Sequence, residues 1–189
     1  IRLTRKEEFT SSRTRHPMRI RVKLGANKAD GVLRAIEMEA TSNTGAYGAH
    51  GLTVLANTGS KTLPLYNKAP SAHFYGQAVY TTLPVPGAYR GYGATQGYFP
   101  LETAMDELAE RLGIDPIELR RRNHIRVGET SPIFEKLGEG REGVEQTIKS
   151  CELERCLDVG AERIGWGQKR SKRFHQGSWV HGLGMSIMM

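Results

Sequence analysis

The sequence predicts an α+β protein, and three observations carry that prediction. Residues 17–47 alternate apolar and polar side chains as strands do, and from Tyr98 the apolar spacing changes to a period near 3.6. The order is strands, then helices, then a last strand-like stretch, where a regular βαβ protein would alternate the two patterns throughout. With 189 residues, 38% of them hydrophobic and 25% charged, the chain is long enough for one or two packed units and too apolar to be disordered.

Each element has its own signal. In "IRLTRKEE", Ile1 and Leu3 alternate against Arg2 and Thr4 as in a half-buried strand. The start without Met and the apolar end "VHGLGMSIMM" suggest a piece of a longer polypeptide. In "MRIRVKLGAN" the residues Met18, Ile20, Val22 and Leu24 share a face, and in "GVLRAIEMEATSNTGAY" Leu33, Ala35 and Ile36 are expected inside. Between them "ANKADG" has the turn chemistry of a hairpin, so an antiparallel pair is predicted. "GLTVLANTGSK" has the apolar spacing of a short helix, and its Gly, Asn and Thr content opposes a long one. "QAVYTTLPV" has the β-branched and aromatic content of a strand, closed by Pro84 and Pro86.

The loop "PGAYRGYGATQG", Pro86 to Gly97, leads into the period-3.6 helix. There Leu101, Ala104, Met105, Leu108 and Leu112 are expected inward, with Glu102, Asp106, Glu107 and Glu110 outward. Pro100 would sit in the first turn and Gly113 would stop the helix. In "IDPIELRRRN", Asp115 is an N-cap, Pro116 takes the first helical position, and Glu118 has capping-box spacing. Arg120, Arg121 and Arg122 then complement the helix dipole in the last turn. Residues 126–147 are Gly- and charge-rich and read as an exposed loop. Ser150 is a candidate cap for a helix over "CELERCLDVGAERIGW", with Leu153, Leu157 and Ile164 inward, and "GSWVHGLGMSIMM" reads as a buried, truncated strand.

A net charge of +7 and a pI near 9.6 raise nucleic acid as a partner. The basic residues are spread over "SSRTRHPMRIRVK", "RRRNHIR" and "QKRSKRFH", without interleaved aromatics or a helix-turn-helix or RNA-binding signature. That distribution favours solvated surface or contact with a missing partner domain. No apolar run reaches the roughly 18 residues of a membrane span, and no signal-peptide pattern opens the chain. The expectation is a soluble cytoplasmic protein without a nucleic-acid or membrane partner.

Cys151 and Cys156 lack the second pair that a zinc or iron–sulfur cage needs, and are expected to be buried or half-buried thiols in a reducing compartment. His16, His50, His73, His124, His175 and His181 form no H-E-x-x-H or other close ligand pair and read as packing or hydrogen-bonding residues, His175 and His181 flanking "HQGSWVHG". No G-x-S-x-G elbow of an α/β-hydrolase occurs.

The glycine loop fits no nucleotide motif. Gly91, Gly93 and Gly97 give G-x-G-x-x-x-G, one residue too long for a dinucleotide fingerprint, and "TTLPVPGAY" before it is proline-broken. No G-K-[ST] follows, as a Walker loop would require. Two readings stand. In one, the glycines let the backbone approach a bulky group, N–H groups near the helix start face an anion or oxo ligand, Arg90 adds charge, and Tyr89 and Tyr92 offer aromatic faces to a flat substrate. In the other, a tight turn pairs Arg90 with a carboxylate and packs the tyrosines in the core.

Residues 87–123, "GAYRGYGATQGYFPLETAMDELAERLGIDPIELRRRN", resemble the molybdenum-binding subunit of the xanthine dehydrogenase and aldehyde oxidase family, with its A-[FY]-R-G-[FY]-G-x-x-Q loop, following helix and "GIDPIELRRRN"-like end. The upstream strand pair, with its "R.EE....RHP" start, is similar too, so the resemblance runs along essentially the whole chain. It implies an internal fragment of the family's molybdopterin-binding domain. Residues about 1–125 would end its first part, about 126–150 would be an exposed linker, and about 151–189 would start its second part.

The implied activity is that of a molybdenum hydroxylase, which puts oxygen from water onto a carbon of an aldehyde or N-heterocycle. The implied cofactors are molybdenum–molybdopterin on this subunit, and iron–sulfur centres and FAD on partner domains or subunits of an oligomeric enzyme. By resemblance, Arg90, Gly91 and Gly93 are cofactor-binding, with the Arg90 loop touching the molybdenum end without supplying a side-chain ligand, and Tyr92 stacks on the substrate. No catalytic residue is expected within the fragment. The family's glutamate base, its "FGGK" loop and its pterin-binding glutamines would all fall before Ile1 or after Met189. Near Thr58 nothing matches the arginine of purine-oxidising members, and "RGYG" replaces the cysteine-bearing loop of carbon monoxide dehydrogenases. The fragment alone is expected to be inactive. The competing classes are a basic nucleic-acid-binding module and a non-catalytic interaction domain.

Overall fold

Alternation in residues 18–43 does build a sheet, and its register shows why. The computed structural model describes residues 1–170 and 174–189. Strands β1 (Met18–Ala26) and β2 (Leu33–Asn43) pair antiparallel, placing Ile20 opposite Ala40, Val22 opposite Met38 and Leu24 opposite Ile36 on one apolar face. Gly31, at φ +73, turns the chain between them. A register shift at Gly25/Ala26 pairs Gly25 with Ala35 and Ala26 with Leu33, so Arg34 is the extra residue of a bulge. The bulge inverts the alternation, which leaves Leu33 and Ile36 buried and turns Ala35, expected inside, outward.

A parallel third strand, β3 (Ser71–Val79), completes a mixed sheet in the order β1-β2-β3. It starts at Ser71 rather than Gln77, because pairing with β2 and cover by α2 (Gly51–Ser60) select it in place of the β-rich "YTTLPV". Eight of the ten α2 residues are buried. Its small side chains make that possible: a Cβ on Gly59 would lie 2.6 Å from the Phe74 ring, and one on Gly76 of β3 would lie 3.1 Å from Leu55. A 3-10 turn, Leu63–Tyr66, adds Leu65 and Tyr66 to the core.

Helix α3 (Ala94–Leu112) begins four residues before Tyr98, which puts Pro100 inside the helix and not in its first turn. The docking of its first turn on α2 sets that start. Gly113 ends it in the left-handed conformation, as predicted. Leu101, Met105 and Ala109 face the core, where each large apolar side chain contributes about 2 kcal/mol relative to exposure. Glu102, expected outward, is buried, and the reason lies in α4 (Pro116–Asn123). Its Arg120 has no exposed surface and donates from Nε to Glu102 Oε2 at 2.8 Å and from Nη1 to Asp106 Oδ1 at 2.8 Å. Tyr66 donates its hydroxyl to the other Glu102 oxygen. Burial, joined by the Glu102 charge, pushes the Tyr66 phenol well above its ordinary pKa.

Asp115 caps α4, accepting from the N–H groups of Ile117 at 2.8 Å and Glu118 at 3.4 Å. Glu118 does not close the box and takes Arg122 Nε at 2.8 Å instead. A complete capping box occurs at α1 (Arg5–Ser11), between Thr4 and Glu7. Residues 1–4 therefore lead into a helix, not a strand, and Ile1 and Leu3 are exposed.

The stretch read as an exposed loop holds α5 (Pro132–Lys136), whose Ile133 joins the core, and a bridge between Thr130 and Thr147. Helix α6 (Leu153–Ile164) is preceded by Glu152, not Ser150, at the cap position. Leu157 is buried, Leu153 half-buried and Ile164 exposed. Cys151 is half-buried but Cys156 is exposed on α6, where only Leu157 is fully buried. After α7 (Trp166–Lys169), the two three-residue strands β4 (Phe174–Gln176) and β5 (Trp179–His181) replace the expected buried strand. Trp179 and Val180 are exposed, and only Ile187 beyond them is buried, its N–H donating to Glu102 Oε2 at 2.8 Å. Part of the basic run Gln168 to His175 lies outside the described residues. Among those described, no helix is long and apolar enough to cross a membrane.

Candidate functional site

Gly91, Tyr92 and Gly93 have φ of +94°, +37° and +103°, three successive residues in the region that favours glycine. Two tight turns result, with Tyr92 N–H donating to Tyr89 O and Ala94 N–H to Gly91 O, both at 2.7 Å. At Gly93 a Cβ would lie 2.1 Å from the Val54 carbonyl oxygen, and at Gly97 it would lie 2.2 Å from that of Thr58. The glycine spacing that fails as a nucleotide motif is thus the footprint of α3 crossing the backbone of α2.

Arg15 ties the loop from the other side. Its Nη2 donates to Arg90 O at 2.7 Å, its Nη1 donates to Thr95 Oγ1 at 2.5 Å, and its guanidinium stacks 4.5 Å from the Tyr89 ring centroid. Sequence reasoning placed Arg15 among the spread basic charges and in the "R.EE....RHP" start, without a role at the loop. Its available signal was the "RHP" segment, in which His16 is also buried, with Nδ1 2.9 Å from Asn43 O.

Arg90 is exposed, and its guanidinium has no hydrogen bond or ion pair among the described residues. The tight-turn reading, with Arg90 on a carboxylate and the tyrosines in the core, is not what the fold contains: Tyr89 is exposed and Tyr92 half-buried. The N–H groups of Gly91 and Gly93 meet no acceptor among the described residues, and α3 starts without a side-chain cap. An unpaired cation, free N–H groups and the positive end of a 19-residue helix suit an anionic, oxygen-rich group. The residues present therefore fit the polar end of a molybdenum–pterin cofactor.

Tyr92 has one partner that the sequence did not reveal. His50, the residue before α2, places Nδ1 2.6 Å from the Tyr92 hydroxyl, with ring centroids 5.7 Å apart and planes at 77°. Forty-two positions separate the two, and no local pattern links them. Asn57 lies seven residues after His50 on the same face of α2, its Cβ 3.0 Å from where a Gly93 Cβ would be.

The arginine run at the end of α4 is engaged within the fold. Arg120 is buried, Arg121 pairs with Glu154 at 2.6 Å and with Asp158, and Arg122 pairs with Glu118. Partial burial works to raise the Glu154 carboxyl, but hydrogen bonds from His124 and Arg121 outweigh it and hold the group below the usual carboxylate range.

A glycine loop clamped on a buried helix, with an exposed arginine that has no partner among the described residues, belongs here to an α+β unit. The family model described as the molybdopterin cofactor-binding domain matches residues 1–124, and the chain belongs to that family. Over its whole length it is 40% identical to the probable hypoxanthine oxidase XdhD of Escherichia coli (strain K12), of which it covers 19%. It is 36% identical, over 98% of its length, to the putative xanthine dehydrogenase molybdenum-binding subunit XdhA of the same organism, of which it covers 23%. The solved aldehyde oxidoreductase of Desulfovibrio gigas aligns over 91% of this chain and 17% of its own, at 30% identity and a TM-score of 0.74. The chain thus spans about a fifth of the length of these relatives.

Proposed function

We propose that this chain is an internal part of the molybdenum-binding region of a cytoplasmic xanthine dehydrogenase/aldehyde oxidase-type hydroxylase, and that its Arg90–Gly93 loop meets the cofactor. When bound, the molybdenum–pterin group supplies oxygen transfer from water to a carbon of an aldehyde or N-heterocycle, with iron–sulfur and FAD centres on partner domains or subunits as the electron route. Arg90 contributes fixed positive charge, and the Gly91 and Gly93 N–H groups contribute donors, at the polar end of that group. Tyr92 contributes an aromatic wall for the substrate. No residue here acts as the proton-abstracting base, which belongs to the remainder of the subunit. Residues about 1–125 close the first part of that region, about 126–150 link, and about 151–189 open the second.

The observation that carries this reading is that the Arg90 guanidinium has no partner among the described residues, while Tyr89 and Tyr92 of the same loop are held by Arg15 and His50. In the full-length protein, Arg90→Ala is expected to lower molybdenum content or turnover, whereas Tyr92→Ala mainly changes the range of substrates oxidised. Metal analysis by mass spectrometry and steady-state kinetics decide it, and unchanged values for both variants would return the loop to a purely structural role. The 189-residue chain alone is expected to carry no stoichiometric molybdenum and to oxidise no aldehyde with an artificial acceptor.

A further inference from the structure

The two loop tyrosines are not equivalent. The face of Tyr89 is already taken by Arg15, whose guanidinium lies 4.5 Å from its centroid. On Tyr92 no second ring or cation stacks among the described residues apart from the edge contact with His50. His50 meets the ring from its hydroxyl end, with Nδ1 2.6 Å from the oxygen and the planes at 77°, and so does not lie flat on it. Tyr92 also sits at φ +37°, a conformation tyrosine rarely adopts, between two glycines that by themselves would leave it free to swing. Two anchors remove that freedom, and both belong to the start of the same buried helix. His50 immediately precedes α2, and Gly93, the neighbour of Tyr92, rests on the carbonyl of Val54 one turn further on.

We propose that His50 is a positioning residue: by holding the Tyr92 hydroxyl it presets the ring plane as a rigid wall, which selects planar heteroaromatic substrates over flexible aliphatic aldehydes. This rests on the reading that Tyr92 faces the substrate. A wall already ordered adds stacking without the cost of freezing a side chain, and only a flat, rigid partner gains fully from it.

The test uses the full-length, molybdenum-loaded enzyme with purine and quinazoline as planar probes and butyraldehyde as the flexible one. His50→Ala is expected to raise KM for the planar probes about five- to tenfold, the worth of one hydrogen bond. Its kcat should stay within about twofold, with butyraldehyde KM and molybdenum content unchanged. Tyr92→Phe, which keeps the ring and loses the hydroxyl, should match it, and the double variant should be no worse than either. His50→Asn, whose amide can stand where Nδ1 was, should restore most of the loss, and calorimetric Kd values for purine should follow KM. Additive effects, equal loss on all three substrates, or a wild type that prefers butyraldehyde would overturn the proposal. So would an unchanged planar KM in His50→Ala while Tyr92→Ala raises it. If Tyr92→Ala also leaves planar KM unchanged, the substrate-wall reading itself fails, and the two failures are thereby told apart.

Discussion

Replacing Gly93 with alanine attacks the point where the loop is clamped. The added methyl would lie 2.1 Å from Val54 O, 3.0 Å from Asn57 Cβ and 3.1 Å from Thr58 N, and two of these three atoms are α2 backbone that no rotamer change can move. The φ of +103° adds strain of about 1–2 kcal/mol for any L side chain. Forcing α2 and α3 apart adds about 1–3 kcal/mol of overpacking. A combined loss of about 3 kcal/mol corresponds to about two decades in a local opening constant. Hydrogen exchange on the full-length protein reads this directly. Amides of α2 and the first turn of α3 should exchange about a hundredfold faster, while those pairing β1 with β2 should keep their protection. Acceleration of less than about threefold at α2 would refute the argument that this glycine exists for backbone contact.

Three further outcomes follow from the surrounding network. Arg120→Met leaves Glu102 buried without its cation and should cost about 3–5 kcal/mol in urea unfolding, part of which Glu102→Leu in the same chain should return. Glu154→Gln should flatten the acid limb of stability. The folded carboxyl lies below its ordinary value, so its contribution is present above about pH 4.3 and fades as pH falls through the lowered folded value, and unfolding midpoints from pH 6 down to about pH 3 would show the change of slope. Asp115→Ala removes both the α4 cap and the acceptor that Trp166 Nε1 reaches at 2.9 Å, and should cost somewhat more than the about 1 kcal/mol of a cap alone in urea titration.

What the sequence revealed depended on how local the cause was. The hairpin, the Asp115 cap and the Gly113 stop are each written within a few residues, and all three stand. Ala35 turned outward because a bulge of one extra residue, Arg34, cannot be read from composition. Glu102 turned inward because its partner Arg120 lies eighteen positions away, and nothing in the period of α3 distinguishes it from Glu107, which is exposed. Strand β3 was misplaced because its position depends on pairing with β2 across the intervening helix, not on its own Ser, His and Gly content. For the candidate site, Arg90, Tyr92 and the glycines proposed to form it lie in one continuous motif. Arg15 and His50, which hold that motif in place, reach it from 75 and 42 positions away.

The most direct test of the cofactor-facing loop is anomalous diffraction at the molybdenum edge from crystals of the full-length protein. The account predicts a molybdenum peak on the open side of the Arg90–Gly93 loop, at the uncapped start of α3 and opposite the face that rests on α2. A peak remote from that loop, with Arg90 turned to a carboxylate of the remaining chain, would contradict it.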